Sequence, residues 1–448
     1  MKREILTIND VCKFIGGSQP PKDTFISEPR EGYIRLIQTR DYKTDSFKTY
    51  IPRTLARRFC SENDIMIGRY GPPIFQICRG LTGAYNVALL KASPKGNIVN
   101  DYLFYYLKQN SVFEYVEKLS SRTGGQTGVD LECLKKYPIT LPDLIEQKKV
   151  TSILSSLDSK IELNNRINQE LEAMAKLIYD YWFVQFDFPM SKEQAAALGK
   201  PELTGKPYKT SGGPLVYNEV LKKGIPEGWD VKPIGKILTT ALGGTPSTQI
   251  KKYWSNGNIP WLNSGEIADF PIIGSELRIT QEAVDNSAAK VMPKGTVVIS
   301  ITRHLRPSIL AIDACANQSV VGICESNELK HSYIYPFLKN DIPRLMSLRT
   351  GAQQPHINKE TIDDSNIILP TNAILNSYYK IVDPFYNQIM NNAFQNQHLT
   401  SLRDWLLPML MNGQVKVGKR VTYEQGEAEL RMVAEPEVRY GNKTIGNA

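Results

Sequence analysis

This chain is poor in the residues and motifs on which catalysis usually rests. Its 448 residues include only four histidines, His304, His331, His356 and His398, and these share no metal-ligand spacing. Six cysteines, Cys12, Cys60, Cys78, Cys133, Cys315 and Cys324, stand apart with no CxxC pair. That excludes a zinc site built on paired cysteines and points to reduced, mostly packed thiols. No run of about eighteen apolar residues occurs, and "MKREILTINDVCKF" at the start has no apolar stretch, so a cytoplasmic protein without a membrane partner is expected. The phosphate-cradling GxxxxGK[ST] loop, HExxH and GxSxG are all missing. A methyltransferase acting on base nitrogens needs Asn/Asp-Pro-Pro-aromatic, whereas Gly71-Pro72-Pro73-Ile74 has neither the polar first residue nor the aromatic last. Asp143 with Glu146-Gln147-Lys148 resembles the carboxylates and lysine of a metal-dependent nuclease, but both acids fall in the first turn of a helix, where capping is their expected work.

What remains is an ordinary globular composition, 41% hydrophobic and 22% charged, with a mild basic excess of 54 Lys+Arg over 46 Asp+Glu. The net charge of +8 permits a polyanionic partner without requiring one. The length calls for at least two domains.

The chain is written twice. A stretch of about 230 residues recurs head to tail with its punctuation kept. "SSRTGGQTGVDLECLKKYPITLP", ending at Pro142, returns as "SLRTGAQQPHINKETIDDSNIILP", ending at Pro370. "DYLFYYLK" matches "SYIYPFLK", and "NDIMIGRYGPP" matches "GTVVISITRHLRP". "CKFIGGSQPP" and "GYIRLIQTRDY" answer "LTTALGGTPS" and "GNIPWLNSGEI". The short β-branched runs between turn residues predict two compact mixed α/β domains, 1–142 and 227–370.

After each domain the texture becomes helical. Residues 143–186 contain some forty positions without glycine or proline, a helix of roughly 60 Å. Asp143 and Glu146 make a capping-box-like start. Val150, Leu154, Leu157, Ile161, Asn164, Asn168, Leu171, Ala175 and Ile178 repeat at steps of three and four, a coiled-coil seam. In 371–417 the same spacing is met by Ile381, Phe385, Gln388, Asn392, Gln395, Leu399, Leu402 and Leu406, with Pro384 and Pro408 as places to kink or end. Both seams turn polar halfway. Antiparallel pairing would set Asn164 and Asn168 against the Asn392 to Gln395 region; the alternative is that these positions face solvent. Residues 187–226, rich in Gly, Pro and Lys, read as a linker, and 418–448 as a polar, partly ordered tail.

Matching turns of the two copies carry the candidate binding residues: Gly17-Ser18-Gln19 with Gly244-Thr245-Pro246-Ser247, Gln38-Thr39-Arg40 with Asn263-Ser264-Gly265, and Arg69-Tyr70 with Arg303-His304. Tyr85-Asn86 answers Asn317-Gln318, and Arg122 to Gln126 answers Arg349 to Gln354, with Gln353 beside it. Arg, Asn and Gln can grip a purine edge with two hydrogen bonds, while Ser, Thr and glycine amides suit phosphate oxygens. Loops are polar in any case, so the constellation weighs more than its members. At the helix ends Tyr179, Tyr181, Trp182 and Trp405 either anchor a partner or pack on the neighbouring α/β domain.

"GGTPSTQIKKYWSNGNIPWLNSGEI", "IPEGWDVKPIGKI", "GGSQPPKDTFISEPREGYIRLIQTRDY", "LDSKIELNNRINQELEAMAKLIYDYWFVQFDF" and "LLPMLMNGQV", in their order, make the chain resemble the DNA-specificity subunit of type I restriction-modification systems, from residue 1 to about 417. The resemblance implies two similar α/β target-recognition domains separated by two long antiparallel coiled-coil helices with pseudo-two-fold symmetry. Each domain would read one half of a bipartite double-stranded DNA site. It implies a chain that is not an enzyme and holds no cofactor. Two methyltransferase subunits carrying S-adenosylmethionine would dock on it, and two motor-nuclease subunits would join for cleavage. The first copy lacks the IPEGW-type lead-in and has Gly-Ser-Gln-Pro where the pattern has Gly-Gly-Thr-Pro, which implies an asymmetric target. A standalone modification or cleavage enzyme and a coiled-coil scaffold without a DNA role are the competing readings.

Overall fold

The computed structural model describes residues 4–71, 73–123, 126–190, 192–208, 214–302, 304–351 and 355–418. The chain divides into two units, residues 1–150 with 409–448, and residues 151–408.

In the first unit, β1 (Glu4–Thr7) and α1 (Ile8–Val11) lead into β2 (Cys12–Gly16), β3 (Tyr33–Ile37), β4 (Tyr50–Pro52), β5 (Phe59–Cys60), β6 (Ile65–Gly68), β7 (Ile77–Cys78), β8 (Gly83–Tyr85) and β9 (Leu89–Pro94). Helices α2 (Asn100–Leu107) and α3 (Asn110–Leu119), the hairpin β10 (Ser121–Thr123) and β11 (Gln126–Gly128), α4 (Leu131–Lys135) and β12 (Pro138–Leu141) complete it. One sheet has the order β2-β9-β6-β7 and another β4-β3-β8-β5, with β12 returning to pair β1. All four residues of β6 are buried, the pattern of a strand covered on both faces. Burying each such Ile or Met side chain contributes about 1.5–3 kcal/mol. The α2 residues Tyr102 to Leu107 are likewise all buried, so this short helix is core.

α5 (Leu144–Tyr179) starts where Asp143 Oδ1 accepts the Glu146 amide at 2.8 Å, the expected N-cap, and runs on into a π turn, Asp180–Val184. The stretch read as a linker is more built than its composition suggested. It contains β13 (Phe188–Pro189), α6 (Lys192–Ala197), β14 (Pro207–Tyr208) and the hairpin β15 (Leu215–Asn218) and β16 (Lys223–Pro226). Phe186, Phe188 and Ile225 are buried in the core of the second unit, and Phe186 and Phe188 each lie 5.7 Å from Trp229 between ring centroids. Isolated aromatics with no periodicity sufficed to anchor it.

The second α/β domain repeats most of the first: β17 (Asp230–Pro233), β18 (Thr240–Leu242), β19 (Ile259–Leu262), β20 (Leu277–Ile279), α7 (Gln281–Asp285), β21 (Val297–Ser300), β22 (Pro307–Ile309), β23 (Cys315–Ala316), β24 (Val320–Ile323), α8 (His331–Ser347), α9 (Lys359–Asp363) and β25 (Asn366–Leu369). Its sheets, β18-β24-β21-β22 and β20-β19-β23, with β17 on β25, follow the strand orders of the first domain, except that the single bridge of Met292 to Ala314 stands where β5 pairs β8 and that of Thr350 to His356 where β10 pairs β11. In both, one parallel pairing interrupts antiparallel neighbours, Leu36 and Ile37 on Ala84 and Tyr85, and Trp261 and Leu262 on Cys315 and Ala316.

α10 (Asn372–Met411) passes through Pro384 and Pro408 without ending at either. Within the second unit α5 and α10 run antiparallel. Arg403 meets Asp158 at 2.7 Å, Asn164 Nδ2 donates to Gln395 Oε1 at 2.7 Å and to Asn396 Oδ1 at 2.8 Å, and Asn392 Nδ2 donates to Asn168 Oδ1 at 2.8 Å. Asn164 and Asn392 are 1% and 5% exposed, so the solvent-facing alternative fails. The seam read on α10 is displaced, however. Ile381 and Leu402 are exposed, and Tyr378, Val382, Tyr386 and Ile389 are buried in their stead. α10 covers its own α/β domain as well as α5, with Tyr378 OH donating to Ser332 O at 2.9 Å, and that second contact rotates the buried stripe.

Cys12, Cys60 and Cys315 are buried thiols, and burial pushes Cys60 and Cys315 up to about 11. Such groups are packing residues.

Because Asn164 is buried and donates to both Gln395 and Asn396, replacing it removes two bonds across the helix pair. Asn164→Leu is expected to destabilise the helix pair by about 1–3 kcal/mol, read as a lower urea midpoint by far-UV circular dichroism. An unchanged midpoint would show that the layer is energetically neutral.

Candidate nucleic-acid interface

In each domain the turns singled out above meet at one end of the two sheets. In the first, the amide of Gly17 donates to Leu89 O at 3.1 Å and that of Ser18 to Tyr85 O at 3.1 Å. Asn86 donates its amide to Ile37 O at 3.1 Å and accepts from Ala88 N through Oδ1 at 3.1 Å. β3 continues into a tight turn, where Asp41 Oδ2 accepts the Gln38 amide at 2.7 Å. That turn holds Gln38 Nε2 and the Arg40 guanidinium on Thr49 Oγ1, at 3.1 and 3.2 Å. A Cβ placed on Gly68 would stand 3.2 Å from Thr39 Cγ2, so the turn packs directly beside Arg69-Tyr70. The Arg69 guanidinium lies 5.0 Å from the Tyr70 ring centroid, and Arg69 O accepts the Val129 amide at 3.0 Å, bringing the β10–β11 hairpin alongside.

The second domain repeats these bonds. Gly243 donates to Val320 O at 2.9 Å, Gly244 to Ala316 O at 2.8 Å and Asn317 to Leu262 O at 2.9 Å. Asn317 Oδ1 accepts from Ser319 N at 3.0 Å, and Glu266 takes the role of Asp41 by accepting the Asn263 amide at 2.9 Å. Thr245 Oγ1 donates to Gln318 Oε1 at 2.5 Å, while Ser247 O accepts from Trp254 Nε1 at 3.1 Å.

These bonds set a different correspondence from the one the turn sequences suggest. Gly17 corresponds to Gly243 and Ser18 to Gly244; Tyr85-Asn86 corresponds to Ala316-Asn317. Arg69-Tyr70 corresponds to Ile301-Thr302, because Ile301 donates to Ser319 O at 2.9 Å as Arg69 does to Ala88 O at 2.8 Å. The arginine of "ITRHLRP" therefore lies two residues beyond the place of Arg69. Thr350 and His356 pair as Ser121 and Gly128 do, so Arg122 and Arg349 are not equivalent either. Arg349 Nε donates to Met346 O at 3.2 Å, at the end of α8.

Among the residues expected at the site, Gln19, Arg40, Thr245, Ser247, His304 and Gln318 are exposed, and Ser18, Gln38, Arg69, Tyr70, Asn86, Asn263, Ser264, Asn317 and Arg349 are partly buried. Arg303, Gln353 and Gln354 lie outside the described residues, as do the side chains of Arg122 and Gln126. Sequence reasoning missed Asp41, Glu266 and Thr49. The signal for the first two was present as Gln38-x-x-Asp41 and Asn263-x-x-Glu266, a capping-box spacing outside any long helix. Burial pushes the Asp41 carboxyl up against the pull of the Gln38 amide, and burial raises Tyr85, whose hydroxyl donates to Ile15 O at 3.2 Å, to about 12.

At the helix ends the structure takes the packing alternative. Tyr179 and Trp182 are buried in the core of the second unit, Trp182 5.9 Å from Tyr378 between ring centroids, and Tyr181 packs against the same core. Tyr179 and Trp182 are closed to a partner because intramolecular rings cover them, while Tyr181 is half-buried. Trp405 is 57% exposed. Among the described residues no group of three or more His, Cys, Asp or Glu could hold a metal, and no helix is long and apolar enough to cross a membrane.

A Cβ on Gly17 would stand 1.9 Å from Asn86 O, and one on Gly243 2.2 Å from Asn317 O, whereas one on Gly16 meets only Leu90 Cδ2 at 4.0 Å. Gly17→Ala and Gly243→Ala are each expected to lower the melting temperature by several degrees, with Gly16→Ala near neutral. Equal melting of all three variants would show that the close approach is not needed.

The family model for the "Type I restriction modification DNA specificity domain" matches residues 2–173 and 226–400. The chain is 27% identical to the MjaIX type I restriction enzyme specificity subunit of Methanocaldococcus jannaschii, covering 92% of this chain and 94% of that one. It is 26% identical to the HindI specificity subunit of Haemophilus influenzae, over 72% and 79% of the two chains. In structure it resembles the type I restriction-modification S subunit of M. genitalium with a TM-score of 0.52, at 14% identity and over 91% and 96% of the two chains. With two matched segments that coincide with the two folded copies, the chain belongs to the type I restriction-modification DNA-specificity family.

Proposed function

We propose that this chain is the non-catalytic specificity subunit of a type I restriction-modification complex, in which each α/β domain reads one half of an asymmetric bipartite duplex site. The observation that carries this is one backbone scaffold, bonded alike in both copies, that presents different side chains at equivalent places. Gln38 stands where Asn263 stands, Ser18 where Gly244 does, and Arg69-Tyr70 where Ile301-Thr302 do. Asn86 and Asn317 spend their side-chain oxygens on the same turn amides, so they shape the scaffold. Sequence choice then rests on the side chains that differ, some able to grip a purine edge and others suited to a methyl group or a phosphate.

In this reading the paired helices set the gap between half-sites and provide the platform for two methyltransferase subunits, with exposed Trp405 the available aromatic anchor. Those subunits carry S-adenosylmethionine, two motor-nuclease subunits complete the cleaving complex, and this chain works in the cytoplasm with no cofactor of its own.

Methylation-aware sequencing of genomic DNA from the host, with and without this gene, is expected to show one gene-dependent motif with two different halves and a fixed gap. A palindromic motif, or none that depends on the gene, would refute the reading. Arg349→Ala is expected to cost about 1–3 kcal/mol at the second half-site and leave the first unchanged. Equal loss at both halves would make Arg349 a residue of the fold or of phosphate binding.

A further inference from the structure

The two recognition domains share a scaffold but not a charge. Residues 1–142 carry 21 Lys+Arg against 14 Asp+Glu, whereas residues 227–370 carry 14 against 14. The difference is concentrated in one place. From Tyr33 to Cys60 there are seven basic residues and two acids; from Ile259 to Met292, the matching stretch, two basic residues and five acids. The match is structural, since Cys60 pairs with Gly83 beside β8 as Met292 bridges Ala314 just before β23.

In the first domain both acids of this stretch are engaged. The Asp41 side chain is fully buried, and Asp45 bridges Arg35 at 2.8 Å and Lys48 at 3.1 Å. Arg40, Arg53, Arg57 and Arg58 are exposed and enter no ion pair among the described residues. Arg40 lies 5.9 Å from the ring centroid of Phe47, itself 62% exposed. Arg40 and Arg58 edge the reading turns, and Arg57 precedes Arg58. Arg58 O accepts the Tyr85 amide at 3.1 Å while Ile37 O accepts the Asn86 amide, so the chain leaving β3 toward Arg40 and the chain entering β5 flank the Tyr85-Asn86 turn. Arg53 opens the tight turn after β4, at the far end of the hairpin, where its amide donates to Gly32 O at 2.8 Å.

The second domain has an acidic helix at this place. β20 is followed by α7, whose Glu282 is paired with Lys252 and whose Asp285 is exposed. Asp269 and Glu276 are also exposed nearby in sequence. Coulomb repulsion makes such a rim a poor seat for phosphates.

We infer that the arginine rim of the first domain, Arg40, Arg53, Arg57 and Arg58, is a phosphate-gripping surface matched in the second only by Lys290 at the place of Arg58, so that the first domain supplies most of the sequence-independent, salt-sensitive hold on the duplex. The inference rests on the DNA-reading function proposed above. It divides labour between copies: the first domain holds DNA of any sequence, and the second domain contributes chiefly through discrimination. Exposed guanidiniums release condensed counterions when they meet phosphates, which is why the signature is a salt slope.

The test uses the full chain and a fluorescein-labelled duplex of arbitrary sequence, titrated across a potassium chloride series. The triple substitution Arg53→Gln, Arg57→Gln, Arg58→Gln avoids the turns proposed to read bases. It is expected to lower the slope of log K against log salt by about 2–3 and to weaken binding about tenfold to a hundredfold near 0.1 M salt. Lysine at the same three positions is expected to restore the slope, which separates charge from folding. A comparison triple of basic residues from the second domain, Arg278→Gln, Lys290→Gln, Lys294→Gln, is expected to change the slope by less than about one. If the first triple leaves a steep slope intact, or both triples lower it equally, the inference fails and the reading function stands. If the unaltered chain shows no salt-dependent binding, both fall.

Discussion

Each recognition domain depends on one close approach, a glycine laid against the carbonyl of an asparagine turn. Gly17 and Gly243 sit so near Asn86 and Asn317 that a single added carbon would overlap the carbonyl oxygen. The contact joins the two sheets, because the glycine extends an edge strand of one, β2 or β18, and the asparagine follows a strand of the other, β8 or β23. Every other feature of the interface is placed relative to this seam, including the carboxylate-capped turns at Gln38 and Asn263 and the position of Arg69. A scaffold held by backbone bonds leaves its side chains free to differ, and here they do.

The asparagine layer between α5 and α10 serves the same economy of means. Apolar heptads alone would let two helices slide by a turn at modest cost, whereas amides that bond across the pair find those partners in one register. Asn164 with Gln395 and Asn396, and Asn168 with Asn392, place that layer midway along both helices, with Arg403 and Asp158 beyond it. The aromatic ends of the helix are spent differently. Tyr179, Trp182 and Phe183 are absorbed into a cluster with Tyr333 and Tyr378, which welds α5, α8 and α10 into one body.

Duplication made divergence possible in charge as well as in side-chain identity. One copy keeps exposed arginines between β3 and β5, and its twin has a short acidic helix where the first has the turn at Arg53. A protein that must find one address among many gains from holding DNA loosely anywhere and tightly at one place. Two copies of one fold can separate those tasks because the charged rim is not part of either core.

By itself the sequence determined the repeat, the mixed α/β class, the two long helices, the Asp143 cap and the polar middle of both seams. All of these rest on local pattern: spacing of apolar residues, placement of turn residues, and a carboxylate three positions before an amide. Only the tertiary structure decided which residue of one copy matches which of the other, since Arg69 answers Ile301 and not Arg303, and alignment of visible arginines could not reveal backbone bonding. It likewise decided that 187–226 is anchored by Phe186, Phe188 and Ile225, that α10 turns Tyr378 and Val382 inward in place of Ile381, and that Tyr179 and Trp182 are core. The physical reason is the same in each case. Burial depends on what lies across the contact, and a chain read in one dimension does not show its neighbours.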